Sequence, residues 1–252
     1  ISSYLENGLL CVGLGDWNYP KNIKFSVCPT QLTDSCYYKL MSEILGKFAE
    51  RFEPEAAAAY CAEAERTAAA IREKYSDEQS LTGLAALDFF GVADRGAEVF
   101  EYLEKNGCVL HAGILGTKFL FGVLARRKRS DLALRLLERT EYPSFGYWAE
   151  AGQTSLCEDF ELTNSLNHHM YSCIAEYMCS GLCGLKLETP LKASLSPDLP
   201  SSMEFAETES HGFKVALRRE KDKIRMDVTV PKAASLRYGR ELFGEGKYVF
   251  EI

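Results

Sequence analysis

The stretch from Thr33 to Tyr75 reads TDSCYYKLMSEILGKFAERFEPEAAAAYCAEAERTAAAIREKY, and it decides the fold class. Tyr37, Leu40, Met41, Ile44, Leu45 and Phe48 recur three and four apart, which predicts an amphipathic helix over 33–52. Thr33 or Asp34 suits its cap, and Pro54 stops it. The same proline suits the first turn of a second helix, an Ala-rich run over 54–75 with Glu55 early.

Beyond Tyr75 the pattern predicts helices over 81–90 and 95–105, one opened by Gly116-Thr117 and reaching 126, and one over 130–139 capped by Ser130. A long loop rich in Gly, Ser and aromatics follows Glu141. A last helix over 167–178 is ended by Gly181 and Gly184. Short connections favour antiparallel neighbours packed as hairpins. At the other end, Leu9 to Trp17 is too Gly-rich for a helix and turns near Pro20. Past Leu185 the pattern changes. Pro190, Pro197 and Pro200, with a run of Ser, forbid continued helix. Residues 213–218, 224–230 and 248–252 then alternate as half-buried antiparallel strands do. The chain therefore reads as helical hairpins over 1–188 and a small β domain over 189–252.

The 252 residues are 46% hydrophobic and 26% charged, enough apolar surface for a substantial core. No apolar run approaches the ~20 residues of a membrane helix. The 36 acidic residues against 29 basic ones argue against nucleic acid as a partner. The charge is uneven: ten Lys/Arg and six Asp/Glu fall in 211–252, leaving an acidic body that suits a neutral substrate. Nine cysteines, an odd count without a Cys-x-x-Cys pair, read as reduced thiols and lean toward a cytoplasmic setting. Cys179 and Cys183 lack a second ligand pair, and the four histidines form no ligand set, so neither a metal nor a cofactor is expected.

Polar and aromatic residues crowd into three Gly-bearing loops: Gly13-Leu-Gly-Asp-Trp17, the segment Tyr142 to Glu158, and Ser165-Leu-Asn-His168. An Asp beside a Trp suits a sugar, because the carboxylate accepts hydroxyl protons while the indole covers the C–H face of the ring. Glu158 follows an aromatic loop, where partial desolvation favours a general base. Singly, Asp16-Trp17 reads equally as a turn with a core Trp, Glu158 as a solvated helix end, and His168 as a structural histidine.

As an ordered set, these segments with Leu110-His-Ala-Gly-Ile-Leu-Gly-Thr117 resemble the catalytic half of the bacterial α-L-rhamnosidases, glycoside hydrolase family 78. Val228-Thr-Val-Pro231 and Gly246-Lys-Tyr-Val-Phe250 resemble the C-terminal sandwich of that family. The resemblance implies a mainly α chain, part of an (α/α)6 barrel of helical hairpins, followed by a small antiparallel β-sandwich. It implies inverting hydrolysis of terminal α-L-rhamnosides, with Glu158 as general base. Asp16, Trp17, Tyr147, Trp148, Asn167 and His168 are then expected around the sugar. Gln153, Ser155 and Cys157 depart from the Gly-Ala-Thr-Thr-x-Trp-Glu pattern of the family, and the segment between Glu158 and His168 is shorter than expected.

The general acid of the family lies near a Trp-Thr-Gly-Asp motif, and neither Trp17 nor Trp148 has that context. The expectation is that acid and first barrel helices precede Ile1, so that the chain alone is inactive and exposes a face prone to self-association. Two other readings stay open. One is a non-catalytic carbohydrate-binding or scaffold protein derived from the barrel; the other is an (α/α)6 glycosidase with a different sugar specificity.

Overall fold

The computed structural model describes residues 2–252, in which helix predominates over strand. In chain order the helices are α1 (Thr30–Phe52), α2 (Pro54–Lys74), α3 (Leu81–Phe89), α4 (Gly96–Lys105), α5 (Ile114–Arg126), α6 (Ser130–Leu137), α7 (Phe145–Glu150) and α8 (Cys173–Tyr177). The strands are β1 (Leu5–Glu6), β2 (Leu9–Leu10), β3 (Leu185–Thr189), β4 (Lys192–Leu195), β5 (Phe205–Ser210), β6 (Phe213–Glu220), β7 (Lys223–Val230), β8 (Ser235–Tyr238), β9 (Glu241–Phe243) and β10 (Gly246–Glu251).

Two compact units result, Ile1–Val123 with Thr140–Tyr171 and Leu124–Arg139 with Ser172–Ile252. The boundary expected near 188 falls inside the second unit, because α6 groups with the strands. The Asp198 carboxylate accepts from Ser130 N–H at 2.9 Å, Lys128 Nζ donates to the Ser196 and Pro197 carbonyls, and Tyr177 donates to the Ser130 hydroxyl at 2.7 Å. Ser130 is thus not the cap of α6. The acceptor for its amide comes from across the fold.

In the first unit, Asn7 and Gly8 both have positive φ and turn β1 into β2. Asn-Gly is the pair that such two-residue hairpin turns favour. α1 begins three residues before the expected start, and Asp34 does not cap it; Asp34 Oδ1 instead accepts from Gly15 N–H at 3.1 Å. The buried face of α1 also differs from the apolar stripe in its sequence. Leu32, Thr33, Ser35, Cys36, Tyr38, Lys39, Ser42, Gly46 and Ala49 are buried, while Ile44, Leu45 and Phe48 are exposed. Small residues let α1 and α2 approach closely: a Cβ on Gly46 would stand 3.0 Å from Cys61 Sγ. Lys39 is stabilised in the interior by donating to the Phe90 carbonyl at 2.7 Å, at the C-terminus of α3, and by pairing with Glu43. α3 is buried from Leu81 to Asp88 and is capped by Ser80, whose hydroxyl accepts from Gly83 N–H.

The second unit holds two four-stranded sheets, in the orders β3-β4-β8-β9 and β10-β7-β6-β5. Phe213, Val215 and Leu217 on β6 and Met226, Val228 and Val230 on β7 are buried, as the alternation requires. The antiparallel expectation fails at one pair, since β4 runs parallel to β8. The connection between them carries β5, β6 and β7 and is long enough to return the chain in the same direction.

Of the nine cysteines, Cys28, Cys36, Cys108, Cys157 and Cys183 are buried. Burial pushes the Cys36 thiol up to about 12, leaving it an inert apolar filler. No described helix is long and apolar enough to cross a membrane.

Candidate active site

Every residue singled out from the sequence for the site lies in the first unit, Asp16, Trp17, Glu158, Asn167 and His168 on two loops and Tyr147 and Trp148 on α7. The first runs from Gly13 to Pro20. Asp16 anchors it and is buried. Its Oδ2 accepts from Thr82 Oγ1 at 2.8 Å and Gly113 N–H at 2.9 Å, and its Oδ1 accepts from Leu115 N–H at 2.8 Å. The carboxylate thus sits on the N-terminal turn of α5, where amides point outward and the helix dipole favours negative charge. Burial raises its pKa, with the hydrogen bonds from Gly116, Thr82, Gly113 and Leu115 acting against the rise.

Two glycines make room for this arrangement. A Cβ on Gly113 would meet the Trp17 carbonyl at 2.1 Å, and one on Gly116 would meet Asp16 Oδ2 at 2.5 Å. Trp17 is held by its carbonyl, which accepts from Ile114 N–H at 3.0 Å, and its ring is half-buried. The expectation that Asp16 takes sugar hydroxyls meets a carboxylate already occupied from within.

The second loop, 155–168, folds back on itself. Glu158 N–H donates to the Ser165 carbonyl and His168 N–H to the Leu156 carbonyl, both at 2.8 Å. Ser155 Oγ donates to the Leu166 carbonyl at 2.5 Å. These bonds bring Glu158 and His168 into one local fold. At its tip Asp159, 1% exposed, accepts from Thr163 N–H and Oγ1 and from Asn164 Nδ2. Burial acts to raise the Asp159 pKa, but those hydrogen bonds and the nearby Lys21 charge prevail and hold it low.

Glu158 is half-buried, and its Oε2 accepts from Ser165 N–H at 3.4 Å. His168 Nδ1 accepts from Met170 N–H at 3.3 Å, which leaves Nε2 to carry the proton of the neutral ring. Asn167 is exposed on the same loop. The helix expected over 167–178 shortens to α8 and a π-helical turn, Met178–Leu182. The amides of His168 and Met170 are spent on the loop and cannot enter a helical ladder.

Trp148 takes a different position from the one expected. It is 2% exposed, stacks on Phe160 at 4.7 Å between centroids, meets Phe145 and Tyr171 edge-on, and donates from Nε1 to the Asp159 carbonyl at 3.1 Å. No ring face remains for a sugar. Its helix, α7, forms inside the aromatic stretch read as a loop, capped by Ser144, whose hydroxyl accepts from Tyr147 N–H at 3.0 Å. Tyr147 is half-buried and packs edge-on against Tyr142.

The sequence reading missed Asn18, Asp159 and the Tyr142–Glu161 pair. Glu161 Oε1 accepts from Tyr142 and from Lys21 N–H at 2.7 Å, and Asn18 Nδ2 donates to the Glu158 carbonyl at 3.1 Å. None of these carried a clear signal in the sequence, since the donors to Asp159 lie four and five residues on, at Thr163 and Asn164. Two of the departures from the family pattern have structural roles here. Ser155 keeps a hydroxyl that bonds Leu166, and Cys157 is fully buried. Among the described residues, no three His, Cys, Asp or Glu side chains cluster as a metal site would require.

Residues 3–182 match the family model described as the bacterial alpha-L-rhamnosidase 6 hairpin glycosidase domain. The chain is 36% identical over 151 residues to an alpha-L-rhamnosidase of Alteromonas sp. (strain LOR), covering 53% of this chain and 16% of that protein. It is 28% identical over 235 residues to an alpha-L-rhamnosidase of Formosa agariphila, covering 79% of this chain and 24% of that protein. The chain thus spans less than a quarter of the length of these relatives. In fold it resembles the Streptomyces avermitilis alpha-L-rhamnosidase crystallised with L-rhamnose, with a TM-score of 0.86, 18% identity, and coverage of 100% of this chain and 29% of that one. The alpha-L-rhamnosidase from Dictyoglumus thermophilum matches with a TM-score of 0.84 and 18% identity over 99% of this chain and 34% of that one.

Proposed function

The chain belongs to the bacterial α-L-rhamnosidase six-hairpin glycosidase family, and on that premise we propose that it carries the base-bearing side of the sugar site in an enzyme that hydrolyses terminal α-L-rhamnosides with inversion. One observation carries the reading. The backbone bonds of Glu158 to Ser165 and of His168 to Leu156 gather a carboxylate and a proton-bearing imidazole nitrogen into one loop, and Asn18, next to Trp17, is bonded to that loop.

The Glu158 carboxylate takes a proton from a water molecule as the water oxygen attacks the anomeric carbon. The bond to the leaving oxygen breaks on the opposite face. A carboxylic acid supplied from outside these residues protonates that oxygen, about 6.5–9.5 Å from the base in an inverting pair. His168 Nε2–H donates to a sugar hydroxyl, Trp17 covers the apolar face of the ring, and Tyr147 and Asn167 border the same space. Asp16 and Trp148 act indirectly, Asp16 by holding the Trp17 loop on α5 and Trp148 by holding Asp159. The roles of Ser155 and Cys157 support an intact loop over a binding protein that has lost its chemistry. The remaining barrel helices are the partner that covers the exposed apolar stripe of α1.

The test is Glu158→Gln in the whole enzyme. Turnover of an aryl α-L-rhamnoside is expected to fall roughly 10²–10⁴-fold, the range a general base contributes, while L-rhamnose binding persists. Turnover near the wild-type rate would sink the assignment.

A further inference from the structure

The geometry points to Asn18 as a positioning residue for the base, an inference that rests on the role proposed for Glu158. Asn18 directly follows Trp17 and has φ +55°, a left-handed conformation that Asn tolerates better than most side chains. Its Nδ2 donates to the Glu158 main-chain carbonyl at 3.1 Å, across 140 positions of sequence. Its own carbonyl accepts from Tyr171 Oη at 3.4 Å. Glu158 N–H is already committed to Ser165, so the Asn18 amide fixes the second polar group of that peptide backbone and with it the origin of the side chain.

The bond joins the residue after the proposed aromatic platform to the proposed base. This amide is the tie that acts directly on the backbone of Glu158, and it sets where the carboxylate stands relative to the surface that receives the ring. The loop does not depend on Asn18 for its existence. The Glu158–Ser165 and His168–Leu156 bonds, the Ser155–Leu166 bond and the Asp159 turn hold 155–168 by themselves, and Lys21 N–H on Glu161 keeps the two loops adjacent. Loss of the amide then shifts Glu158 without dismantling the site. Displacements below an ångström are enough to slow an in-line attack, since a misplacement of about 1 Å costs on the order of 10²-fold.

The experiment compares Asn18→Gly, Asn18→Asp and Glu158→Gln in the whole enzyme, with kcat and KM on an aryl α-L-rhamnoside and Kd for L-rhamnose. Glycine keeps the left-handed backbone and removes only the amide. Aspartate keeps the shape but sets an acceptor against the Glu158 carbonyl. The expected result is a fall in kcat of roughly tenfold for Asn18→Gly and more for Asn18→Asp, with KM and Kd within about twofold of wild type. Unchanged kcat in both Asn18 variants overturns the inference, whatever happens to Tm. A parallel loss of sugar affinity overturns it too, since that marks a collapsed pocket and not a displaced base. Full activity in Glu158→Gln fells the underlying base assignment and the inference with it, so the two failures are told apart in one series.

Discussion

Asp159 and Asp16 show how one residue type serves two ends in adjacent loops. Asp159 has its carboxyl held below the ordinary value of 3.8, so its charge is more favourable in the folded state than in the unfolded one. The stability it contributes is present above that value and is lost as pH falls through the lower folded value. Asp159→Asn places an NH2 group against donors on Thr163 or Asn164. It is expected to lower unfolding free energy by roughly 1–3 kcal/mol at neutral pH. The gap from wild type should narrow when urea titrations are repeated below about pH 3.8. An equal gap at both pH values would contradict this account. Asp16 has the opposite sign. Its pKa is raised, so its ionisation contributes nothing to acid lability. Asp16-Trp17 and Glu158 were legible as motifs in the sequence, but the partners that occupy Asp16 and hold Asn18 were not. Thr82 lies far along the chain and carries no mark, and Gly113 and Leu115 stood out only as part of the 110–117 segment, with nothing to name Asp16 as their partner.

Helix α1 is the element where pattern and packing part company. Its sequence periodicity is real, and the helix forms, yet the face turned inward is the one rich in Ser, Cys, Gly and Ala. Phe48 and Phe52 stand 60% and 73% exposed and stack on one another. An apolar stripe of this size is uncommon on a free surface. The 252-residue chain is therefore expected to associate with rising concentration in sedimentation velocity, and Phe48→Glu with Phe52→Glu to weaken that association. Stability should change by no more than about 0.5 kcal/mol, because neither ring is buried. Association of the variant at wild-type strength would show that another face is responsible. Elements dictated by local chemistry were readable: Pro54 opened α2 where expected, and the alternation in β6 and β7 matched their burial. Those settled by distant partners were not, among them the cap of α6 from Asp198 and the short α8.

For the whole molecule, a mainly helical body with a β region was legible from the 3.6-residue and two-residue periods, and the family from the order of its loops. The parallel strand pair was not, because strand direction depends on the route of a connection and not on its composition. The proposed division of labour between base and acid makes a plain forecast: the isolated chain should release almost no aglycone from an aryl α-L-rhamnoside, measured against the whole enzyme at equal concentration. Robust release would place an acid among these residues. The pairing of β4 with β8 also bears on how the protein is made. On the ribosome β4 emerges early, but one of its edges has nothing to bond until Ser235–Tyr238 follows. A nascent chain stalled before that point carries a bare row of amides and carbonyls, the kind of edge on which neighbouring polypeptides nucleate aggregates. Slow translation through the three intervening strands would lengthen that exposure.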